Sequence, residues 1–383
     1  MKILAVGGGS GGHVTPVVAV LREIKELHPK AQIRFWCDSK FAPQARGLIG
    51  DFDSTIPVHT IAAGKFRRYH HLTVLRQLLW FSLVLQNIRD LFLVMFGFVQ
   101  SFVKLIIWRP DVVFCKGGYV CLPVGIAAHI LRIPLVIHDS DAHPGLTNRI
   151  LSKLSARIAT GAPLKYYNYP SEKAKYVGIP ISPAFHEFSA SEKQAALKNW
   201  EISPDKPLVV VTGGGLGASR INDAIALRLD DLLAFCSIVL ISGDGQYDDL
   251  RALTPQNRAD FQLHAFVSKG MAELLGAADV VVTRAGATTL LELAALAKPT
   301  IVIPNGRLTG GHQLKNAAVY QNAGALTVVE ESEMEQNPDI LVKTIKEVLS
   351  DSDRAAKMAQ SLHGFARPDA ARDVANMIIS CAK

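Results

Sequence analysis

The chain of 383 residues is poor in cysteine. It has five, Cys37, Cys115, Cys121, Cys236 and Cys381, an odd number without zinc-type spacing. That excludes a disulfide framework and a structural zinc site, and fits free thiols in a reducing compartment. No cluster of histidines and carboxylates has metal-ligand spacing, so no metal is expected. The first apolar run, Ile3 to Val6, is too short for a signal peptide. A membrane span needs about 20 nearly unbroken apolar residues. The richest stretch, 72–108, is interrupted by Gln86, Asn87, Arg89 and Asp90, then by Gln100 and Lys104. It therefore reads as two helices with an over-wide apolar face, buried as a pair in a large core or dipping into a membrane surface. Basic residues interleaved with exposed aromatics are missing, as is a docking helix, which argues against nucleic acid as a partner. The Lys-Ser/Thr pair of a P-loop is absent too. So is the dinucleotide fingerprint, because the first glycine loop ends in His13 and the second strand ends without an acidic residue unless Asp38 serves. Nicotinamide and ATP chemistry are disfavoured on those grounds.

What is present is a chain long enough for two domains, 49% apolar and with a formal charge of +7. Much of that charge is local. Between Gly64 and Arg109, the seven residues Lys65, Arg67, Arg68, Arg76, Arg89, Lys104 and Arg109 face only Asp90, a net +6. Basic charge beside apolar surface points to an anionic membrane surface as partner. Short apolar runs predict strands at Lys2–Val6, Ile33–Trp36, Asp111–Phe114 and Pro134–His138. A second set falls at Leu208–Thr212, Ser237–Ile241, Val280–Thr283 and Thr300–Ile303. Helical patterns lie between them. The first places Val17, Val18, Val20, Leu21, Ile24 and Leu27 on one face, with Pro16 in its first turn. The fold class is α/β, two Rossmann-like doubly wound lobes with a cleft between them. The divisions expected are 1–185, 186–350 and a helical end, 351–383, that packs back on the first lobe.

Each half opens with a strand, a glycine-rich turn and a helix: GGGSGGH at 7–13 and GGGLGAS at 213–219. Such a turn exposes backbone N–H groups at the positive end of a helix and suits a phosphate. Two of them suit a reaction between two phosphate-bearing ligands. Six segments then carry a resemblance: GGGSGGHVTP at 7–16, KGGYVCLP at 116–123, VIHDSDAHPGLTNR at 136–149, GGGLGASRIN at 213–222, TRAGATTLLELAA at 283–295 and GGHQLKNA at 310–317. In that order, over almost the whole chain, they resemble glycosyltransferase family 28, and within it the bacterial undecaprenyl-diphospho-muramoylpentapeptide N-acetylglucosaminyltransferases of the GT-B fold.

The resemblance implies an inverting transfer of N-acetylglucosamine from UDP-GlcNAc to a polyprenyl-diphosphate-linked acceptor. It implies neither metal nor other cofactor, and a peripheral place on the cytoplasmic face of the cell membrane. Inversion needs a base for the acceptor hydroxyl. His13 takes that role or only orients the loop, and Asp139 shares the role or positions His13. Gly8, Gly9, Tyr119 and Asn148 are implied on the acceptor side, with Tyr119 readable equally as a packing tyrosine. Ser10, Gly11, Gly12 and Asp141 are implied toward the donor. The rest of the donor site is implied in the second lobe. Gly213, Gly214, Gly215, Gly217, Ala218 and Ser219 cradle the diphosphate, and Arg284 offsets its charge. Val267 lies by the uracil, while Ala287, Thr288 and Thr289 open the next helix. Glu292 accepts the ribose hydroxyls or is only a helix-end charge, and Gln313 and Asn316 bond the sugar. Three places depart from the family pattern. Gly178-Ile179-Pro180-Ile181-Ser182 replaces Gly-Asn-Pro-Val-Arg, Gly215 replaces a serine, and His138-Asp139-Ser140-Asp141 replaces His-Glu-Gln-Asn. A glycolipid synthase of the same superfamily and a non-catalytic nucleotide-binding membrane scaffold are the alternatives.

Overall fold

The computed structural model describes the whole chain except residues 9–13, 68–79, 143, 215–216, 256–257, 268, 307–310 and 383. It divides into two units, Met1–Ser182 with Arg367–Lys383, and Pro183–Ala366.

The first unit is built on β1 (Lys2–Val6), β2 (Gln32–Cys37), β3 (Val58–Thr60), β4 (Val112–Cys115), β5 (Leu135–Asp139), β6 (Arg157–Thr160) and β7 (Ala174–Tyr176). All pair in parallel, in the order β3-β2-β1-β4-β5-β6-β7. The central strands are continuous runs of Val, Ile, Leu and Phe, as a sheet covered on both faces requires. Phe35 and Phe114 are buried on one face with Val17, Val20, Leu21 and Ile24 of the helix Thr15–Leu27. Trp36, Val113 and Ile137 are buried on the other with the helix Cys121–Ile130.

The second unit repeats the plan with β8 (Leu208–Thr212), β9 (Ser237–Ile241), β10 (Phe261–His264), β11 (Val280–Thr283), β12 (Thr300–Val302) and β13 (Thr327–Val328). The order is β10-β9-β8-β11-β12-β13, again parallel. In each sheet the strand order reverses once, between β1 and β4 and between β8 and β11. Ligands of open α/β sheets bind outside the carboxyl ends of the strands at that reversal.

The C-terminal residues are shared between the two units. The helix Ser352–His363 stays in the second unit, where His363 Nδ1 lies 2.9 Å from the Ala294 carbonyl. The last helix, Ala370–Cys381, buries Val374, Ala375 and Ile378 in the core of the first unit. A glycine makes that return possible. Gly178 has φ +86°, and a Cβ there would lie 2.5 Å from Cβ of Arg367. The Arg367 guanidinium then covers the Tyr176 ring at 4.8 Å.

The window 72–108 also differs from expectation. Among the described residues of this window a single 27-residue helix, Phe81–Ile107, runs unbroken through both of the expected interruptions. Asn87, Asp90, Gln100 and Lys104 do not interrupt it, because they turn toward the 60–67 segment, while Gln86 and Arg89 are exposed. Gln100 accepts from the Ala62 N–H at 3.0 Å and donates to the Thr60 carbonyl at 3.3 Å. Asn87 holds both backbone polar groups of Arg67. Asp90, 2% exposed, pairs with Arg67 at 2.5 Å and Arg89 at 3.1 Å. Gly64 and Gly97 let the 60–67 segment cross closely, since a Cβ on either would strike backbone. The outward face carries Phe81, Leu85, Ile88, Leu91, Phe92, Met95, Phe96, Val99, Val103, Ile106 and Ile107, all exposed.

Candidate functional site

The reversal point of the first sheet is formed by the ends of β1 and β4. Gly8 lies there under Asp38, and a Cβ at Gly8 would strike Asp38 Oδ2 and come within 3.2 Å of Val120. Asp38 also accepts from the Lys40 and Phe41 N–H groups at 3.1 and 3.2 Å, and it accepts the Tyr119 hydroxyl. It is thereby committed to the fold, which closes the option of a ribose-binding acid at the end of β2. Tyr119 is half-buried, and desolvation together with Asp38 pushes its phenol well above its ordinary range. Gly9, Ser10, Gly11, Gly12 and His13 lie outside the described residues.

At the end of β5, Asp139 is 3% exposed. Tyr169 donates to its Oδ2 at 2.7 Å, and Asn148 also hydrogen-bonds it. Burial and the neighbouring Asp141 charge push the Asp139 carboxyl up to about 7, against the pull of Tyr169, Asn148 and Lys116. A carboxyl poised near neutrality is what a general base requires. Asn148 is itself buried, and its Nδ2 also donates to the His138 carbonyl at 3.4 Å. It thereby ties the helix Leu146–Leu151 to the end of β5. Asp141 is half-buried, and its carbonyl accepts the Tyr167 hydroxyl at 2.7 Å. Ile179, where the family pattern has asparagine, is buried against Gly161 in this unit.

In the second unit the turn after β8 is shaped by glycines that nothing larger can replace. Gly214 and Gly217 have φ +74° and +71°, and a Cβ on Gly213 would strike the Ala218 N–H. Gly215 lies outside the described residues. The helix Ser219–Leu227 follows Ala218 with no side-chain cap, and Ser219 is exposed. Beside it, after β11, the helix Ala287–Ala295 also starts uncapped, with Ala287, Thr288 and Thr289 half-exposed. Two uncapped helix starts at one reversal point present orphan N–H groups to an anion. On the second helix Glu292 is half-buried, and desolvation alone pushes its carboxyl up to about 7. Val267 is buried beside the exposed Phe266.

Two residues expected at the donor have partners within the fold. Arg284 is 7% exposed; it pairs with Glu331 at 2.6 Å and donates to the Ile303 carbonyl at 2.9 Å. Glu331 in turn takes Arg220 at 2.6 Å. Arg284 thereby braces the ends of β11 and β12. Asn316, 3% exposed, donates to the Ala285 carbonyl at 3.1 Å and fixes the turn before Thr288. Gln313 is half-buried and accepts from the Asn305 N–H at 2.8 Å. Lys116, Tyr169 and Glu331 were not singled out from sequence. Among the described residues no group of His, Cys, Asp and Glu converges as a metal site.

Two units, each built on a parallel sheet with one reversal of strand order, define a two-lobed α/β protein of the GT-B fold class. The comparisons with known proteins agree. Residues 3–160 match the glycosyltransferase family 28 N-terminal domain and residues 208–374 its C-terminal domain. The chain belongs to glycosyltransferase family 28. Its curated relatives include the UDP-N-acetylglucosamine–N-acetylmuramyl-(pentapeptide) pyrophosphoryl-undecaprenol N-acetylglucosamine transferase of Listeria welshimeri, 32% identical over 100% of both chains. A Bacillus anthracis enzyme of the same name, numbered 2, is 33% identical over 94% of both. Among solved structures, Acinetobacter baumannii MurG superposes with a TM-score of 0.73 at 23% identity over 99% of each chain. A Neisseria meningitidis UDP-GlcNAc 2-epimerase gives 0.70 at 14% over 99% of this chain and 100% of its own, a likeness of fold.

Proposed function

We propose that the protein is an inverting N-acetylglucosaminyltransferase. It moves N-acetylglucosamine from UDP-GlcNAc to a muramoyl-peptide on polyprenyl diphosphate, as a peripheral protein of the cytoplasmic membrane face. The carrying observation is that the chain matches its curated relatives from end to end and places the glycine-built turn after β8 at the reversal point of the second sheet. In this reading the second unit holds the donor. The turn Gly213–Ser219 and the N–H groups at Ala287 to Thr289 face the diphosphate, Glu292 the ribose, the backbone at Val267 the uracil and Gln313 the sugar. Asp139, with His13, accepts the proton of the acceptor hydroxyl, and Tyr119 flanks the acceptor.

The membrane assignment rests on the long helix. It is about 40 Å long at ~1.5 Å per residue and apolar enough to span a bilayer. Yet Leu83, Asp90, Gly97, Ser101 and Leu105 are buried along its whole length. A helix moored in that way lies in the interface with its outward face in the acyl region. Release of UDP from a panel of uridine diphosphate sugars, with a polyprenyl-diphosphate muramoyl acceptor, tests the donor. UDP-GlcNAc should turn over at least tenfold faster than the glucose and galactose donors. Equal rates, or turnover only with diacylglycerol as acceptor, would favour a glycolipid synthase.

A further inference from the structure

Lys116 is the first residue after β4, at the reversal point of the first sheet, and its N–H donates to the Val6 carbonyl at 2.9 Å. It is 1% exposed. Lysine is almost never buried so completely without a partner. Its Nζ donates to the Ser140 hydroxyl, between the two carboxylates Asp139 and Asp141. Where the family pattern has one acid followed by two amides, this chain has acid, hydroxyl, acid. A second carboxylate beside a buried first one opposes ionisation of both. Several groups act on the pair and on the lysine. From the end of β5 come Asp139 and Asp141 themselves, and from the helix Cys121–Ile130 the Cys121 thiol. The 167–169 segment supplies the Tyr169 phenol, stacked on Tyr167 at 5.3 Å, and the helix Leu146–Leu151 supplies Asn148, with Arg149 acting on Tyr169. Among these, Lys116 is the cation that acts directly on Asp139.

We propose that Lys116 is a positioning residue: its buried ammonium, moored on Ser140, is the built-in counter-charge of the Asp139–Asp141 pair and keeps the proton-accepting carboxylate of the first unit ionised. This rests on the transferase reading above. The two partners' titrations agree with it. Burial brings the lysine down to about 8 while both carboxylates hold it up, and the lysine opposes the rise of Asp139.

The experiment is a carbon-13 NMR titration of aspartate side-chain carboxyls in the full-length protein, with the Asp139 signal assigned by its loss in Asp139→Asn. Lys116→Met should raise the Asp139 midpoint by on the order of one pH unit. The double variant Lys116→Met with Asp141→Asn should bring it back toward the wild-type value. Asp141→Asn alone, at a half-buried position that tolerates the change, should lower it and carries the test if Lys116→Met does not fold. The acidic limb of the transfer rate against pH should follow the Asp139 midpoint in each variant. An Asp139 midpoint that is unmoved in folded Lys116→Met, or unmoved in Asp141→Asn, overturns the proposal. The titration needs no turnover. An inactive wild type with these shifts would therefore overturn the transferase reading and leave the charge pairing standing.

Discussion

Glu292 shows how a single environment turns position into a measurable property. Its carboxyl is held near 7 by desolvation. Ribose hydroxyls donate to the ionised form, so binding them favours ionisation and releases a proton. The affinity for UDP-GlcNAc, whose diphosphate does not titrate near neutrality, should therefore rise as pH increases from 6 through 7 and level off above. Glu292→Gln should lose that slope. It should also weaken donor binding by roughly tenfold to a hundredfold, the value of hydrogen bonds to a charged group. Calorimetric titration at several pH values checks this; a flat wild-type profile would return Glu292 to a helix-end charge. The same residue scale explains which site assignments were legible. Motif order places Gly213 in the turn after β8 and Thr288 and Glu292 on the helix after β11, because spacing along a helix or turn is local. Arg284, Asn148 and Asn316 came from the same motifs, yet their side chains turn inward to Glu331, His138 and Ala285. Those partners lie 10 to 47 residues away in sequence, and no local pattern names them. Tyr169 had no signal at all, being one tyrosine among several in a loop that reaches Asp139 only through the β6–β7 turn.

At the scale of elements, the long helix is the instructive case. Read along the line, Asn87, Asp90, Gln100 and Lys104 break an apolar run. Read around a helix of 3.6 residues per turn, they fall on one face and hydrogen-bond the 60–67 segment. The helix is thus apolar on its exposed face and mixed on its inner one, where Asn87, Asp90 and Gln100 share the packing with Leu83, Phe98, Phe102 and Leu105. Replacing Phe92, Met95 and Phe96 with serine should cut binding to vesicles containing anionic lipid by more than a hundredfold, at about 1.5–3 kcal/mol per large side chain. The fold should survive, since all three are exposed. Lys65→Gln should weaken binding only modestly, by about 1 kcal/mol at low salt. Arg67 is a different matter, since it neutralises the buried Asp90, and Arg67→Gln should lower the melting temperature instead. Sedimentation with vesicles and thermal melts separate these effects. Full vesicle binding by the serine variant would reject the helix as the docking face. Strand legibility follows a similar logic. Interior strands such as β4, β5, β8 and β11 are runs of buried apolar residues and stood out. Edge strands β3, β7 and β13 are two or three residues long and half-buried, so they carry no run to read.

For the whole molecule, the doubling of one plan was visible in the two glycine turns, and the structure gives both sheets the same strand order about the reversal. The course of the last residues was not visible. Both Ser352–His363 and Ala370–Cys381 are amphipathic, and only packing distinguishes the unit each one joins. The central claim concerns the reaction that this doubled scaffold performs. Its most direct test is transfer of labelled N-acetylglucosamine from UDP-GlcNAc to the polyprenyl-diphosphate muramoyl-pentapeptide in detergent with a chelator present, followed by NMR of the product linkage. Anion binding by helix starts and glycine turns needs no metal, and the donor carries an α-linkage to phosphate. The account predicts undiminished turnover in the chelator and a β-linked disaccharide on the lipid. A protein that binds UDP-GlcNAc yet forms no disaccharide, or forms it only when magnesium or manganese is restored, would contradict it.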